Sequence, residues 1–269
     1  MTVDTEWTPA DVAVLLREPT DDDDKYSRGV VGLRTGSARY PGAAVLGVEA
    51  AWRAGAGMVR YLGPARDLVL ARRPETVTAD GRVQAWVIGS GTDAVQRGAE
   101  ETAALHAVLA GDVPVVVDAG ALDLAIAATA PLVLTPHDRE HAALRTQIGL
   151  ADIPDRRAAA RDTAAHLDAV VLLKGATTII TAPDGAQRTV TTGVPWLSTA
   201  GTGDVLAGIL GTLLAGGDDP FACAASAAWV HGRAGAAASA AHAGGPLVAV
   251  EVAEAVASVI GGVLAARRA

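Results

Sequence analysis

Aromatic side chains are scarce in this chain: they make up 3% of its 269 residues, whereas hydrophobic residues make up 50%. The interior must therefore be built from Ala, Val, Leu and Ile, which pack closely with little volume per residue. This composition is typical of a globular protein and excludes a disordered chain. Because no linker, repeat or low-complexity boundary occurs, we expect one domain over residues 1–269, with residues 1–24 as an N-terminal extension.

Cysteine and clustered positive charge are also nearly absent. Cys223 is the only cysteine, which excludes an internal disulfide, and its small apolar neighbours predict a buried thiol. The formal net charge is −8 and no Lys/Arg cluster occurs, which argues against a nucleic acid as partner. A small anionic ligand is still compatible, because a local site can oppose the overall charge.

Segments that would direct the chain to a membrane are missing as well. The N-terminal MTVDTEWTPADV carries acids and lacks the basic and apolar pattern of a secretory signal. The uncharged runs at 205–217 and 234–250 are rich in Gly and Ala and shorter than the about 20 apolar residues that span a bilayer. We therefore predict a cytoplasmic protein with no membrane partner. The run DDDDK at 21–25 resembles a protease-recognition tag, but ordinary chain flanks it, and we expect a solvated acidic loop.

Short β-branched runs alternate with longer Ala-rich segments of helical character. This alternation is typical of an α/β protein whose mostly parallel sheet is covered by helices on both faces. After residue 175 the pattern changes to two strands joined at Pro183-Asp184-Gly185, which predicts an antiparallel hairpin. Three apolar helices are expected at 203–215, 220–241 and 248–266. The earlier strands are expected at 29–36, 57–63, 83–91, 113–120, 131–137 and 169–175.

Unusual polar residues and glycines collect where the expected strands end. In open α/β sheets, ligands bind outside the carboxyl ends of the strands, because loops and helix N-termini converge there. Each of these residues also has a purely structural interpretation. Gly89-Ser90-Gly91 fits a tight turn before a helix, His137 fits a first helical turn, and Lys174 fits simple exposure. Asp118 could cap a turn, bind a metal through water or hold a neighbouring loop.

The turn Gly201-Thr202-Gly203-Asp204 is the most informative of these features. Its glycines let the backbone approach a ligand, and the helix that follows adds its positive end, so the turn suits a phosphate. A carboxylate beside an anion is repulsive unless it faces a hydroxyl whose proton it can take as a general base. The alternative is that Asp204 is an ordinary first-turn acid. Neither a G-x-x-x-x-G-K-[ST] loop nor a G-x-G-x-x-G fingerprint after a first strand occurs.

Six segments carry a resemblance to a known family: GSARYPGAAVLGVEAAWRAGAGMVR, IGSG, VVVDAGAL, LTPH, VLLKGATTII and STAGTGDVLAGILG. In this order they resemble the ADP/ATP-dependent NAD(P)H-hydrate dehydratases of the ribokinase-like superfamily. The resemblance runs from about Lys25 to the C-terminus. It implies a ribokinase-like three-layer α/β/α fold with a mostly parallel central sheet and an antiparallel hairpin.

The resemblance implies an enzyme that repairs hydrated nicotinamide cofactors. It would consume ADP or ATP to convert the S epimer of NADHX or NADPHX back to NADH or NADPH. By motif, Asp204 would deprotonate the C6 hydroxyl of the hydrate, the amides of the Gly201–Gly203 turn would stabilise the transferring phosphoryl group, and elimination of phosphate would restore the ring. The catalytic residues implied are Gly201, Thr202, Gly203 and Asp204. The implied nucleotide contacts are Lys174, Gly175, Ala176, Thr177, Thr178 and Gly203, and the implied hydrate contacts are Ala43 or Ala44, Gly91, His137 and Asp204.

The same resemblance implies Mg²⁺ bridging the nucleotide phosphates and, often, a homotetramer. Many members carry a fused epimerase domain, and the 24 residues before Lys25 leave no room for one, so we expect the NAD(P)HX epimerase to be a separate chain. The chain departs from the family after His137, where Asp138-Arg139-Glu140 replaces the usual Pro-Gly-Glu. This difference affects the shape of the loop more than its chemistry.

Two other functions would use the same residues. A small-molecule kinase of this fold, of the hydroxymethylpyrimidine or hydroxyethylthiazole type, would use the same Asp204 and anion-binding turn. The segments PGAAVLGVEAAWRAGAG and LTPH fit the dehydratases better. A non-catalytic nucleotide-binding protein would have no need of Asp204, so its presence favours an enzyme.

Overall fold

The computed structural model describes residues 5–268 and is built around one central sheet. The strands are β1 (Thr5–Glu6), β2 (Val30–Arg34), β3 (Met58–Tyr61), β4 (Ala85–Ile88), β5 (Val115–Val117), β6 (Leu132–Leu134), β7 (Val170–Leu173), β8 (Thr178–Thr181) and β9 (Gln187–Val190). Across the described residues they lie in the order β1-β9-β8-β7-β6-β5-β4-β2-β3. All neighbouring pairs are parallel except β7-β8 and β8-β9. The β8-β9 pair is the predicted antiparallel hairpin, and β8 also pairs antiparallel with β7.

Helices connect the strands, and several begin at side-chain caps. In the longest helix, the Asp219 carboxylate accepts a hydrogen bond from the Ala222 amide, and Pro220 occupies the first turn, where its missing N–H costs nothing. The helices are α1 (Pro9–Leu15), α2 (Gly42–Arg53), α3 (Arg66–Arg72), α4 (Ala99–Leu109), α5 (Asp138–Gln147), α6 (Arg156–Leu167), α7 (Thr202–Ala215), α8 (Pro220–Ala241) and α9 (Ala249–Arg268), with 3-10 helices at Ala119–Ala127 and Pro195–Leu197. The three apolar helices lie within two residues of their predicted bounds.

Helices cover both faces of the sheet, which confirms the predicted three-layer α/β/α arrangement. The helices α2, α7, α8 and α9 pack on one another on one face, and α4, α5 and α6 lie on the other. Successive residues of β5 pack against opposite helix layers because side chains alternate between the two faces of a strand. Val116 joins the core with Leu210 of α7, whereas Val115 and Val117 join a second core with Leu144 of α5.

Small residues let α2 and α7 approach until their backbones touch. A Cβ at Gly208 of α7 would lie 2.2 Å from the Gly47 carbonyl oxygen of α2, closer than any real Cβ contact. One turn later, the Thr212 hydroxyl donates a 3.1 Å hydrogen bond to the Ala51 carbonyl oxygen. This contact is the close packing predicted from the scarcity of aromatic residues.

The N-terminal extension packs more closely on the sheet than its sequence indicated. Residues 1–4 lie outside the described residues, but β1 continues the sheet beside β9 in parallel register, and α1 packs on α8 and α9. The Trp7 indole donates a 3.0 Å hydrogen bond to the Ser226 hydroxyl, and Val12 is fully buried. A two-residue strand is too short to show periodicity, which is why the sequence did not reveal it.

Within residues 5–268, α9 is the one helix long and apolar enough to cross a membrane by length and composition alone. The prediction of no spanning segment rested on the runs at 205–217 and 234–250 and did not consider this helix. Its residues Ala249, Val252, Ala253 and Val256 are buried, and the helix packs on α2, α7 and α8. These buried residues form the face that packs on the core, and 28% of the apolar window of this helix is buried. Cys223 is buried, as predicted.

Candidate active site

Polar residues that follow four neighbouring strands meet at the carboxyl edge of the sheet, as predicted for an open α/β fold. Asp118 follows β5 and is 3% exposed. Its carboxylate accepts hydrogen bonds from Ser90 after β4 and from Thr135 after β6, both at 2.9 Å. It also pairs with the Lys174 ammonium after β7 at 2.9 Å. Of the roles left open for Asp118, the structure supports the one in which it holds its neighbours.

Lys174 is not a simply exposed lysine. Its side chain is 22% exposed, and its Nζ lies 3.8 Å from the Glu140 carboxylate as well as 2.9 Å from that of Asp118. Burial alone would lower the pKa of Lys174, but these two carboxylates outweigh burial and raise the pKa. Lys174 is therefore charged at neutral pH, and it presents that charge at the mouth of the site.

The predicted anion-binding turn begins α7. Gly201 occupies the N-cap with φ +93°, a left-handed conformation that glycine adopts without strain. Thr202 points its hydroxyl back into the loop, donating to the carbonyl oxygens of Leu197 at 2.8 Å and Thr199 at 2.9 Å. Gly203 faces the cation: a Cβ there would lie 3.7 Å from Lys174 Nζ. The turn thus combines first-turn amides that lack an intrahelical acceptor with a positive charge.

Asp204 stands in this positive environment without a hydrogen-bond donor of its own. Among residues 5–268, no group donates a hydrogen bond to its carboxylate, whereas Asp118 has three such partners. Burial and the charge of Asp118 raise the pKa of Asp204 to about 7, against the opposing effect of Lys174. A carboxyl group with this pKa exchanges its proton near neutral pH.

His137 and Glu140 cap α5 reciprocally. The Glu140 amide donates to the His137 ring at 3.1 Å, and the His137 amide donates to the Glu140 carboxylate at 2.8 Å. The structural interpretation of His137 as part of a first helical turn is therefore correct. Its side chain is nevertheless 53% exposed, and Glu140 links it to Lys174, so the ring also borders the site.

Ala43 and Gly91 lie against each other, whereas Ala44 points into the core. A Cβ at Gly91 would lie 2.3 Å from the Ala43 Cβ and 2.9 Å from the Tyr40 carbonyl oxygen. Gly91 also has φ +67°, so a side chain there is disfavoured twice. Ala44 is fully buried beside Gly36. The structure therefore brings Ala43 and Gly91 together at a backbone surface near Ser90.

The segment from Lys174 to Thr178 forms the β7-β8 turn. Gly175 and Ala176 are exposed, and the Thr178 hydroxyl donates to the Gly175 carbonyl oxygen at 3.3 Å. Arg156 fastens this turn: its guanidinium donates to the carbonyl oxygens of Lys174 at 2.8 Å and Thr177 at 3.0 Å. The same guanidinium pairs with Asp138 at 2.7 Å, which ties the turn to the start of α5.

Several residues of the site escaped the sequence analysis. Arg156 opens α6, and nothing in its local sequence indicates a partner 18 residues away. Ser90 was interpreted as a turn residue and Thr135 was recognised only as part of the segment LTPH, and neither was identified as a partner of Asp118. His231 of α8 packs against the Thr202 backbone, and burial lowers its pKa to about 4, so the ring is neutral. Only its position in an apolar helix could have singled it out.

The comparisons with known proteins agree with this geometry. A family model described as NAD(P)H-hydrate dehydratase matches residues 31–256. The chain belongs to the NAD(P)H-hydrate dehydratase family. It is 46% identical over 239 residues to a bifunctional NAD(P)H-hydrate repair enzyme Nnr of Mycobacterium leprae, covering 84% of this chain and 49% of that protein. The chain thus spans about half the length of this bifunctional relative.

Shorter members of the NAD(P)H-hydrate dehydratase family match over most of their length. An ADP-dependent (S)-NAD(P)H-hydrate dehydratase of Neisseria meningitidis serogroup B is 37% identical over 240 residues, which cover 82% of this chain and 80% of that one. The crystal structure of an ADP/ATP-dependent NAD(P)H-hydrate dehydratase from Bacillus subtilis, co-crystallised with ATP and Mg²⁺, matches with a TM-score of 0.86 at 27% identity, covering 98% of this chain and all of that one. A ribokinase-like superfamily protein from Enterococcus faecalis matches with a TM-score of 0.83 at 24% identity, over 96% of each chain. The ribokinase-like fold expected from the sequence is therefore confirmed.

Proposed function

We propose that this chain uses ADP or ATP to dehydrate the S epimer of NADHX or NADPHX, restoring NADH or NADPH. One observation carries the proposal. The Asp204 carboxylate, in the first turn of α7, has no hydrogen-bond donor among the described residues, and its pKa of about 7 suits a general base at neutral pH. Membership of the NAD(P)H-hydrate dehydratase family supports the choice of substrate.

Asp204 acts on the C6 hydroxyl of the hydrate. A general base works best when its pKa lies near the operating pH, because both its deprotonated fraction and its affinity for the proton are then substantial. As the hydroxyl oxygen attacks the terminal phosphorus of the nucleotide, its proton passes to Asp204. The new O–P bond forms while the bond to the leaving ADP or AMP breaks.

The Gly201–Gly203 amides and Lys174 stabilise the charge that develops on the transferred phosphoryl group. Phosphoryl transfer depends mainly on positioning and electrostatic stabilisation, which oriented amides and a fixed cation supply. We propose that the turn from Lys174 through Gly175, Ala176 and Thr177 to Thr178 holds the nucleotide, with Gly203 beside it. Loss of phosphate from C6, with its electron pair, and of a ring proton then restores the double bond.

The hydrate lies on the other side of Asp204. Ala43 and Gly91 contact each other next to Ser90, and the half-exposed His137 ring lies beside Glu140, which is 3.8 Å from Lys174. Ala44 supports this contact from within the core and does not reach the substrate itself, because it is fully buried.

Mg²⁺ enters this proposal only with the nucleotide. Within residues 5–268 no group of three His, Cys, Asp or Glu side chains fits a resident metal, so we assign no protein cage and derive no step through the ion. Mg²⁺ usually binds through phosphates and water with few protein ligands, which fits this arrangement. We also propose a cytoplasmic location, a homotetramer, a single domain and cooperation with an NAD(P)HX epimerase.

The deciding experiment incubates the purified protein with enzymatically prepared NADHX and either ADP or ATP, with and without Mg²⁺. We expect the near-ultraviolet absorbance of the reduced nicotinamide to return with at least one nucleotide. A protein heated to inactivity serves as control for spontaneous reversal. Absence of recovery with both nucleotides contradicts the proposal, and phosphorylation of a hydroxymethylpyrimidine or hydroxyethylthiazole in its place would make the chain a small-molecule kinase.

A further inference from the structure

A cavity of about 590 Å³ lies beside the candidate active site, where β2, β3 and β4 end. Its walls include Gly36 after β2, Leu62 after β3 and Thr92 after β4. Sites for small ligands commonly have volumes of about 300 to 1,000 Å³. The cavity is therefore large enough for a substantial part of a second ligand, and the steps proposed above do not use it.

The cavity and the candidate active site share a wall. The Gly36 amide, in the cavity wall, donates a 2.7 Å hydrogen bond to the Ser90 carbonyl oxygen, and the Ser90 hydroxyl donates to Asp118. A Cβ at Gly91 would lie 3.2 Å from Gly36 Cα and 2.3 Å from Ala43 Cβ. Gly36 of the cavity wall therefore lies against both Ser90 and Gly91 of the candidate active site.

The strand order places the cavity and the proposed nucleotide-binding turn on opposite sides of Asp118. The nucleotide-binding turn proposed above follows β7, whereas the cavity follows β4, β2 and β3, with β5 and Asp118 between them. The nucleotide and the dinucleotide substrate must occupy the site together for phosphoryl transfer. With the nucleotide on the β7 side, the part of the dinucleotide remote from the nicotinamide has the β2-β3 side open to it.

Arg39 is the one arginine of the cavity wall without an ion pair within residues 5–268, and the Asp93 and Glu100 carboxylates of the wall have no ion pair there either. Arg34 is paired with Glu101 at 2.9 Å, and Arg97 is paired with Asp123 at 2.6 Å. Arg39 makes no ion pair or hydrogen bond within residues 5–268. Two further carboxylates line the cavity: Asp93 accepts a hydrogen bond from the Val95 amide at 2.9 Å, and Glu100 is exposed.

The Arg39 guanidinium lies beside the aromatic ring of Tyr40. The Arg39 guanidinium lies 5.5 Å from the centroid of the Tyr40 ring, and Tyr40 is 47% exposed although it lines the cavity. Aromatic rings bind nucleobases by stacking, and guanidinium groups bind phosphates through paired hydrogen bonds. A base-stacking surface next to a free guanidinium matches the chemistry of an adenosine phosphate.

We propose that this cavity holds the adenosine phosphate half of the hydrated dinucleotide, with the adenine on Tyr40 and a phosphate on Arg39. The inference rests on the function proposed above. It makes Arg39 and Tyr40 determinants of substrate affinity that take no part in the reaction at C6.

The first test compares wild type with Arg39→Ala, using NADHX and NADPHX with saturating ADP or ATP. We expect KM for the hydrate to rise about tenfold, the equivalent of 1.4 kcal/mol, with kcat and the KM for the nucleotide unchanged. A rise for NADPHX alone places the 2′-phosphate on Arg39, and an equal rise for both places the pyrophosphate there. The matched control is Arg82→Ala, which removes an exposed arginine from the opposite edge of the sheet, before β4, and should change neither KM.

The second test does not need turnover. Fluorescence titration of NADPH into ADP-saturated protein measures the affinity for the same adenosine half in wild type, Arg39→Ala, Tyr40→Ala and Tyr40→Phe. We expect weaker binding for the two alanine variants and near-normal binding for Tyr40→Phe, which keeps the ring. Ala38→Trp, at an exposed position of the cavity wall, should weaken binding by filling the space.

These outcomes separate the inference from the proposed function. An unchanged hydrate KM in Arg39→Ala together with unchanged NADPH affinity in Arg39→Ala, Tyr40→Ala and Ala38→Trp overturns the inference, as does an effect confined to the KM for ADP. Failure of wild type to dehydrate NADHX overturns the proposed function, and the NADPH titration still decides whether the cavity binds the adenosine half.

Discussion

Two carboxylates in this molecule, Glu49 and Asp204, have pKa values that are shifted in opposite directions. Glu49 of α2 is fully buried and is hydrogen-bonded by Arg53, Arg72 and Arg73. Burial alone would raise the pKa of Glu49, but these guanidinium groups outweigh it and lower the pKa. Asp204 has no donor among residues 5–268, and burial together with the negative charge of Asp118 raises its pKa to about 7. One carboxylate is fully satisfied, and the other is left able to take up a proton.

The difference separates a structural carboxylate from a chemical one. The Glu49 cluster joins α2 to the C-terminal end of α3, and none of its members lines the candidate active site. A charge that is satisfied in the ground state has little to gain from a substrate, whereas an unsatisfied one can bind a proton in the transition state. A substitution at Asp204 should therefore chiefly change kcat, whereas a substitution at Glu49 should chiefly change the free energy of unfolding.

The largest effect is expected for Asp204→Asn. Asparagine keeps the shape of the side chain but cannot accept the hydroxyl proton, so kcat for dehydration should fall by about 10³-fold. Affinity for ADP, measured by calorimetry, should stay close to that of wild type. The control is Asp67→Asn, which changes an exposed first-turn aspartate of α3 and should keep full activity. Activity near wild type in Asp204→Asn would show that Asp204 is not the base.

Glu49→Gln should lower the stability of the fold and leave kcat unchanged. Removing one partner of a buried ion pair leaves uncompensated charge, so the free energy of unfolding should fall by about 3 kcal/mol, measured by urea denaturation at pH 7.5. The matched control is Glu254→Gln, which breaks the half-exposed 2.6 Å pair with Arg72 and should cost about 0–1 kcal/mol. The kcat of the folded Glu49→Gln protein should be unchanged. Equal losses of stability in the two variants would contradict the special status of Glu49.

Asp204→Asn should also stabilise the fold. The folded pKa of Asp204 is raised from 3.8 to about 7, so the folded state binds the proton more tightly than the unfolded state, and the ionised side chain destabilises the fold. The stability gained on substitution should grow as pH rises from about 4 to 7 and then level off at about 1–3 kcal/mol. Urea denaturation at pH 5 and pH 8 measures it. A gain that is larger at pH 5 than at pH 8 would mean that the pKa of Asp204 is not raised.

The smallest effect concerns the acid limb of the pH profile. Because Asp204 must be ionised to act as a base, kcat/KM should decline as pH falls below about 7. Asp118→Asn removes the neighbouring negative charge, so the limb should move to lower pH by about one unit, equivalent to about 1.4 kcal/mol. Asp118 acts here as a positioning residue through its neighbours, and a variant that lost activity without moving the limb would indicate a purely structural role.

The sequence predicted those parts of the site that depend on local pattern. The Gly201–Asp204 turn was placed at the start of an apolar helix, and Lys174 at the end of a buried strand, because periodicity and glycine spacing are local properties. The antiparallel hairpin followed from a turn at Pro183-Asp184-Gly185 between two β-branched runs. The structure has each of these elements where the sequence placed it.

The remainder of the site depends on contacts that connect distant segments. Asp118 receives hydrogen bonds from Ser90 and Thr135 and pairs with Lys174, residues that only the strand order brings together. The burial that raises the pKa of Asp204 is likewise a property of the packed helices. Periodicity carries no information about such pairs, so the role of Asp118 stayed open until its neighbours were known.

The contact between Gly47 and Gly208 has a mechanical consequence. Two helices whose backbones touch have no side-chain layer between them to yield, so α2 and α7 should move as one rigid body. The start of α2 carries Ala43, and the start of α7 carries Asp204, so the surface that receives the hydrate and the group that deprotonates it keep a fixed separation. We expect an opening that admits substrates to involve the segments before these helices, which hold Tyr40 and Trp196 exposed.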